Sequence, residues 1–379
     1  MKTSSKSMIP DWTQLPQELL HIIKEKLENC FDVVHARSVC TSWRSTFPFP
    51  ASLLRQSYSL PLYPIEMESL CSLEKIPFFL CRVPTAAESA SEYFLGGICR
   101  DESEDYSQFP SPPQCSLRLK LPGSNPTLKN MLDCQIFSVG HHYRMICWHQ
   151  GLRITFKDVA FLPLNKEGGA EFVVIRSYSR TLVVFTSVEK RWLQLKDVPD
   201  TTCLDLVAFR GRFYAAFRNK DVFVIDPYLL KATRLMPSEH LNGFFHVIPS
   251  GDDELFLVEK FLSTTPHAAG LKCRVRRLDE EAGKWVKVTD LGDRVLFAGY
   301  GANNSCSTKQ LPDGCGLSRN SIFFTERPGH ANFIFKYAAG SGDWELSRER
   351  LTLSFRVENQ TIRRTLDYLR HLNQNNLIL

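Results

Sequence analysis

The chain has 379 residues, 43% hydrophobic and 23% charged, with a net charge of +5. That composition suits a globular protein with a sizeable core, and the basic excess is too small to argue for nucleic acid. The first ten residues hold no apolar segment of a secretory signal, and no apolar run approaches the roughly 18 residues of a membrane span. The expectation is therefore a protein of the nucleus and/or cytoplasm, off the membrane, whose twelve cysteines are reduced thiols.

Helical periodicity opens the chain. Leu19, Leu20, Ile23 and Leu27 fall on one stripe, with Lys24, Glu25 and Glu28 off it, and Pro16 suits a first helical turn. A second helical stretch follows Asp32, with Val33, Ala36, Arg37, Cys40, Trp43, Arg44 and Phe47 at steps of three or four. Pro48 and Pro50 end the helical region.

Beyond about residue 60 the texture changes to short strands. Ile76 to Cys81 reads as a buried strand, whereas Glu88 to Pro113 is acidic and Pro-rich and reads as a surface loop. Runs such as Phe172 to Ile175, Phe213 to Phe217, Glu254 to Val258 and Ser321 to Phe324 are β-branched or aromatic, with Gly, Pro, Asn and Asp between them. A repeat recurs: a strand, a charged or Gly-bearing turn, then a second short strand, opening on Trp in three of the four units. Its units are Leu182–Phe185 with Trp192, Val222–Ile225 with Ala232, Cys273–Leu278 with Trp285, and Phe333–Tyr337 with Trp344. Such spacing suits propeller blades, and about 310 residues at roughly 45–50 per blade imply six or seven. The alternative is an irregular β-sandwich.

No phosphate-binding glycine loop, zincin motif or nucleophile elbow occurs in the chain. His141, His142, Cys147 and His149 are close in sequence, but strand alternation separates His142 from the rest, and no metal is expected there. Cys306 and Cys315 read as free thiols. Arg274, Arg276 and Arg277 read as a solvated strand edge. No catalytic residue, cofactor or metal is assigned, and no nucleic-acid partner.

Four stretches resemble a known family. Asp11-Trp12-Thr13-Gln14-Leu15-Pro16-Gln17-Glu18-Leu19-Leu20 is similar to the opening of a plant F-box, and Ala36-Arg37-Ser38-Val39-Cys40-Thr41-Ser42-Trp43-Arg44 to its close. Leu291 to Phe297 and Leu317 to Thr325 resemble the kelch-related C-terminal domain of plant KIB-type F-box proteins. The resemblance implies an α+β multidomain chain: a three-helix F-box at 11–50, an all-β propeller-like domain at 60–358, and a tail at 359–379. It further implies a non-catalytic substrate receptor of an SCF-type ubiquitin ligase, joined through a Skp-type adaptor to cullin and RING subunits. A module of about 40 residues buries little surface alone. Leu15, Pro16, Leu19, Val39, Cys40 and Trp43 are therefore the expected adaptor contacts. Leu20, Ile23 and Leu27 are expected to form the module's own core. Substrate contacts are expected on one long loop, Gly299 to Gly316, at Tyr300, Asn303, Asn304 and Lys309. The rival functions are a non-ligase F-box interaction protein and a propeller enzyme.

Overall fold

The computed structural model describes residues 11–27, 30–47, 57–64, 71–84, 91–97, 116–119, 127–149, 152–156, 158–164, 171–235, 243–263, 270–299, 303–315, 317–325, 333–338, 343–346 and 354–356. The chain forms two compact units: residues 1–55, 81–92 and 98–136, and residues 56–80, 93–97 and 137–379. No helix among the described residues is long and apolar enough to cross a membrane.

The first unit holds three helices, α1 (Gln17–Lys26), α2 (Cys30–Val39) and α3 (Thr41–Thr46), after a 3-10 turn at Trp12–Gln14. The Asp11 carboxylate caps that turn by accepting the Thr13 N–H at 3.0 Å. The second helical stretch is two helices rather than one. Cys40 is fully extended, with φ −162° and ψ −179°, and the chain restarts at Thr41. Arg37 on α2 ties the two together by donating to the carbonyls of Arg44 and Phe47. Leu20, Ala36, Trp43 and Phe47 form the core, with Ile23 and Leu27 packed against it. The same unit carries a two-stranded sheet and a 3-10 turn at Met131–Asp133, where His35 of α2 lies 3.3 Å from the Leu132 carbonyl.

The second unit is a β-propeller. Blade 1 is β1 (Ser57–Leu60), β2 (Cys71–Pro84), β3 (Ser91–Gly97), β6 (Gln135–His149) and β7 (Leu152–Phe156); between β3 and β6 in the chain, β4 (Ser116–Leu119) and β5 (Thr127–Asn130) form the separate two-stranded sheet of the first unit. Blade 2 is β8 (Val159–Pro163), β9 (Phe172–Tyr178), β10 (Thr181–Thr186) and β11 (Trp192–Gln194). Blade 3 is β12 (Cys203–Phe209), β13 (Arg212–Phe217), β14 (Val222–Ile225) and β15 (Ala232–Arg234). Blade 4 is β16 (Phe244–Ser250), β17 (Glu254–Ser263), β18 (Gly270–Asp279) and β19 (Lys284–Val288). Blade 5 is β20 (Arg294–Gly299), β21 (Asn304–Ser307), β22 (Ser321–Thr325), β23 (Phe333–Ala338) and β24 (Asp343–Leu346). The final strand, β25 (Ser354–Arg356), returns to pair with β3 in the first sheet.

Ring closure is visible in the cores. Each sheet is apolar on both faces, so each face must be covered by a neighbour. One cluster joins Leu73, Met145 and Cys147 of blade 1 to Val159, Val174 and Val183 of blade 2. Others join blade 2 to 3 through Ile175 and Phe213, blade 3 to 4 through Tyr214 and Leu257, and blade 4 to 5 through Val258 and Phe324. The fifth returns from blade 5 to blade 1 through Phe297 and Phe78. Each fully buried Phe or Leu in such a layer contributes roughly 1.5–3 kcal/mol.

The described residues thus form five blades, which corrects the expectation of six or seven. Dividing length by a uniform period overcounts for two reasons. Residues 98–136 belong to the other unit and add no blade, and blade 5 alone spreads from Arg294 to Leu346. The four repeat units are the outer hairpins of blades 2 to 5. Their tryptophans anchor strand ends: Trp192 Nε1 donates to the Pro61 carbonyl at 2.7 Å and Trp344 Nε1 to that of Val288 at 3.3 Å. In blade 3 the corresponding residue is Ala232, which is buried without such a bond to make.

Two further expectations need correction. Cys71 on β2 and Cys147 on β6 are joined as a disulfide across 76 residues of sequence, whereas all cysteines were expected to be free. The pairing depends on the register of two distant strands, which spacing does not reveal. Arg274, Arg276 and Arg277 sit on β18, which is paired on both sides, so they are not on a strand edge. Arg276 pairs with the buried Glu259, Arg277 with Glu254, and Arg274 stacks 4.2 Å over the Phe261 ring. The acidic part of the Glu88–Pro113 segment, from residue 98 onward, lies outside the described residues.

Candidate functional site

The helical module separates its apolar residues into two sets. Trp43 is buried, stacks on Phe47 with ring centroids 5.4 Å apart, and donates from Nε1 to the Trp12 carbonyl at 3.0 Å. It is a pillar of the module's core. Leu15 and Cys40 are half-buried against the same core. Leu19 is 45% exposed and Val39 42%, and Pro16, three residues before Leu19, is exposed. Sequence reasoning missed Ile22 and Trp12, which are 54% and 56% exposed. Ile22 lies three residues after Leu19, so both stand on the face of α1 opposite Leu20. That spacing was available, but Ile22 sits next to core residue Ile23 and was not separated from it.

In the propeller, a cavity of about 1980 Å³ is lined by the inner strands of the blades, including residues of β6, β8, β12, β16 and β21. Its organising group is Asp205 on β12, a buried carboxylate that accepts from the N–H groups of Leu206 at 3.0 Å and Val247 at 2.7 Å. The side-chain amide of Asn303 also donates to it, and His246 Nδ1 lies 3.7 Å away. One carboxylate therefore fastens the inner strands of blades 3 and 4 to the chain entering β21. A backbone–side chain knot of this kind holds the lining rigid, which is a requirement for a selective site.

The expected substrate loop, Gly299 to Gly316, is not a single loop. It contains β21 and a 3-10 turn at Thr308–Gln310. Asn303 and Asn304 line the cavity, while Lys309 is exposed at the far end of β21 and pairs with Asp293 at 3.2 Å. Tyr300 lies outside the described residues. Asn304 packs over Gly140 and donates to the His141 carbonyl at 3.1 Å. Gly140 has φ +132°, and a Cβ there would fall 2.6 Å from the Asn304 side chain, so only glycine lets blades 1 and 5 meet at this point. Desolvation in the channel wall, and then Lys75, holds the His141 imidazole down to about 4, although its surface opens to the channel.

Among the described residues no cluster of three or more metal-ligating side chains occurs, and Cys147 of the histidine-rich strand is in the disulfide. Cys306 and Cys315 are free and buried; burial and then Cys315 push the Cys306 thiol up to about 12, far from a reactive thiolate.

The KIB1-4 beta-propeller family matches residues 99–342. Two relatives from Arabidopsis thaliana, both F-box/kelch-repeat proteins, are similar over nearly the whole chain. One is 52% identical over 358 residues, 90% of this chain and 93% of the relative. The other is 50% identical over 382 residues, 94% and 98% of the two chains. The chain belongs to the plant F-box proteins with a KIB-type β-propeller. Its Val39-Cys40…Trp43-Arg44 segment thus has a defined place: Trp43 holds α3 to α1, and Val39 stands on the surface.

Proposed function

We propose that the chain is a substrate-recognition subunit of an SCF-type ubiquitin ligase. The observation that carries this reading is the set of apolar side chains that the helical module leaves exposed. Leu19, Ile22 and Val39 stay in water on a module whose core holds four buried side chains, and such apolar surface is stable when a partner covers it. Leu15, Pro16, Leu19, Val39 and Cys40 contact the Skp-type adaptor, and Trp43 sets their geometry from within. Through the adaptor the chain reaches cullin and RING subunits. The propeller holds the substrate at its channel, with Asn303 and Asn304 in the lining; Tyr300 and Lys309 belong to the same connection. The chain performs no bond chemistry itself. It raises the effective concentration of substrate near a charged E2. Residues 11–50 are the docking module, 60–358 the substrate domain and 359–379 a tail, and the complex works in the nucleus and/or cytoplasm.

Reconstitution tests this. The full chain is mixed with adaptor, cullin, RING subunit, E1, E2 and ubiquitin, and complex formation is read by size-exclusion chromatography with ubiquitin transfer to a captured protein. A complete complex that transfers ubiquitin is expected. Adaptor binding without cullin recruitment would establish instead a non-ligase F-box interaction protein.

A further inference from the structure

Blade 1 brings two sulfurs to one point of the fold. Cys71 opens β2 and Cys147 lies near the end of β6, and the two strands are neighbours in one sheet. Their Cα atoms are 4.1 Å apart, close to the roughly 4.5 Å of directly opposed residues on paired strands. The strand pairing therefore brings the two side chains together, with or without a bond between them. Both are buried, at 1% and 0% exposure, in the apolar layer shared with blade 2. The six other cysteines among the described residues are free.

The bond has two mechanical consequences. It closes a loop of 76 residues, most of which, 81–92 and 98–136, belong to the first unit. Its loss returns the entropy of that long excursion to the unfolded chain. The bond also fixes β6 against β2. Cys147, Met145, Tyr143 and His141 alternate onto one face of β6. Tyr143 packs on Phe161 of blade 2, with ring centroids 4.9 Å apart, and both Tyr143 and His141 line the central cavity. The state of the sulfurs thus reaches the channel wall along one strand.

In the nucleus and cytoplasm, glutathione and thioredoxin keep thiols reduced, and disulfides formed there are usually transient and redox-sensing. Burial shields the pair while the sheet is closed, but Cys71 is the first residue of β2, and strand ends open at least cost. We infer that Cys71 and Cys147 form a reversible redox switch that, when oxidised, tightens blade 1 and its wall of the channel. The inference rests on the substrate-receptor reading, which places the chain in that compartment, and it names a regulation of the receptor's substrate site. The oxidant is a small disulfide of the glutathione class. The Cys71 thiolate, its proton lost to water, attacks one sulfur of glutathione disulfide and expels a glutathione thiolate. Cys147 then attacks Cys71 in the mixed disulfide and expels the second. The pair loses two electrons and two protons, and glutathione disulfide is reduced to two molecules of glutathione.

The test equilibrates the purified full chain in buffers running from reduced to oxidised glutathione, quenches with acid, and alkylates the unfolded chain for peptide mass spectrometry. Cys71 and Cys147 are expected to label together in reduced glutathione, to lose label together as the oxidised form rises, and to regain it on return. Oxidation is expected to raise the melting temperature by about 5 °C or more and to slow hydrogen exchange over residues 141–147 roughly tenfold. Cys147→Ala is expected to remove both responses, and the wild-type labelling decides by itself should that variant not fold. A bond that survives reduced glutathione in the native chain would make the disulfide structural and overturn the inference. So would thiols that persist in oxidised glutathione, an interconversion that leaves melting and exchange unchanged, or a Cys147→Ala chain that still responds. Adaptor capture is measured on the same preparations. Adaptor capture without a reversible bond sinks the switch alone, whereas a reversible bond without adaptor capture sinks the ligase reading alone.

Discussion

The helical module and the propeller solve the burial problem in opposite ways. The module has one small core of Leu20, Ala36, Trp43 and Phe47, with Ile23 and Leu27 packed against it, and it leaves Leu19, Ile22 and Val39 exposed. The propeller spreads its core over five interfaces between neighbouring blades, so no single side chain holds the ring. In the module, fold and docking surface are therefore one thin layer apart. In the propeller, the channel lining shares Val159, Phe161 and Phe324 with the apolar layers between blades, and polar lining residues such as Asn303 and Asn304 stand outside those layers.

The largest expected effect follows from that thinness. Trp43→Ala should destabilise the module by about 3–5 kcal/mol, because a large ring is deleted from a core with few substitutes. Helical circular dichroism should fall, and adaptor capture with it, while the β signal of the propeller stays. Retained helicity together with lost capture would move Trp43 from core to interface.

Asp205→Ala should cost about 3 kcal/mol in chemical denaturation, since the N–H groups of Leu206 and Val247 and the amide of Asn303 lose one shared acceptor. A loss below the error of the measurement would show that the inner strands do not depend on this knot. A smaller change of opposite sign is expected at Arg176. It is 1% exposed, its guanidinium lies 4.0 Å over Phe156, and its Nε and one Nη find no hydrogen-bond partner among the described residues. Desolvation lowers its pKa to about 10. Arg176→Met removes a buried charge that lacks a carboxylate and should stabilise the propeller by about 1 kcal/mol; a drop in melting temperature would contradict this.

The smallest effect is a pH dependence at His141. Its folded pKa, about 4, lies below the ordinary 6.5, so between these values the unfolded chain binds more protons. The contribution of His141 to stability is present above pH 6.5 and is lost as pH falls toward 4. His141→Gln should flatten that part of the stability profile, and an unchanged slope would show that the ring is protonated in the folded channel.

The two regions also differed in legibility. The module was readable because a short segment fixes it: Leu20, Ile23 and Leu27 at helical spacing mark the inner stripe, and Leu15-Pro16 and Trp43-Arg44 bracket the helices. Even there, the family resemblance suggested Trp43 as an adaptor contact, whereas the structure buries it in the module's core; an aromatic among aliphatics looks alike in a core and in an interface. The propeller's outer hairpins were visible from their Trp-bearing repeats, but the blade count was not, since the departures of residues 98–136 and of β25 from the regular order follow from strand pairing. The channel was legible only at Asn303 and Asn304. Asp205, His246, Phe244 and Leu262 lie on three strands that look ordinary in isolation, and they meet through the closure of the ring. No local spacing carries that information.

The most direct test is adaptor capture by the full chain with Leu19 and Ile22 both replaced by Ser. These side chains are exposed and add nothing to the module's core. The variant should keep wild-type circular dichroism and melting temperature and lose at least tenfold in affinity for a Skp-type adaptor, measured by biolayer interferometry. Wild-type adaptor affinity in that variant would contradict the account of these exposed side chains as the docking surface.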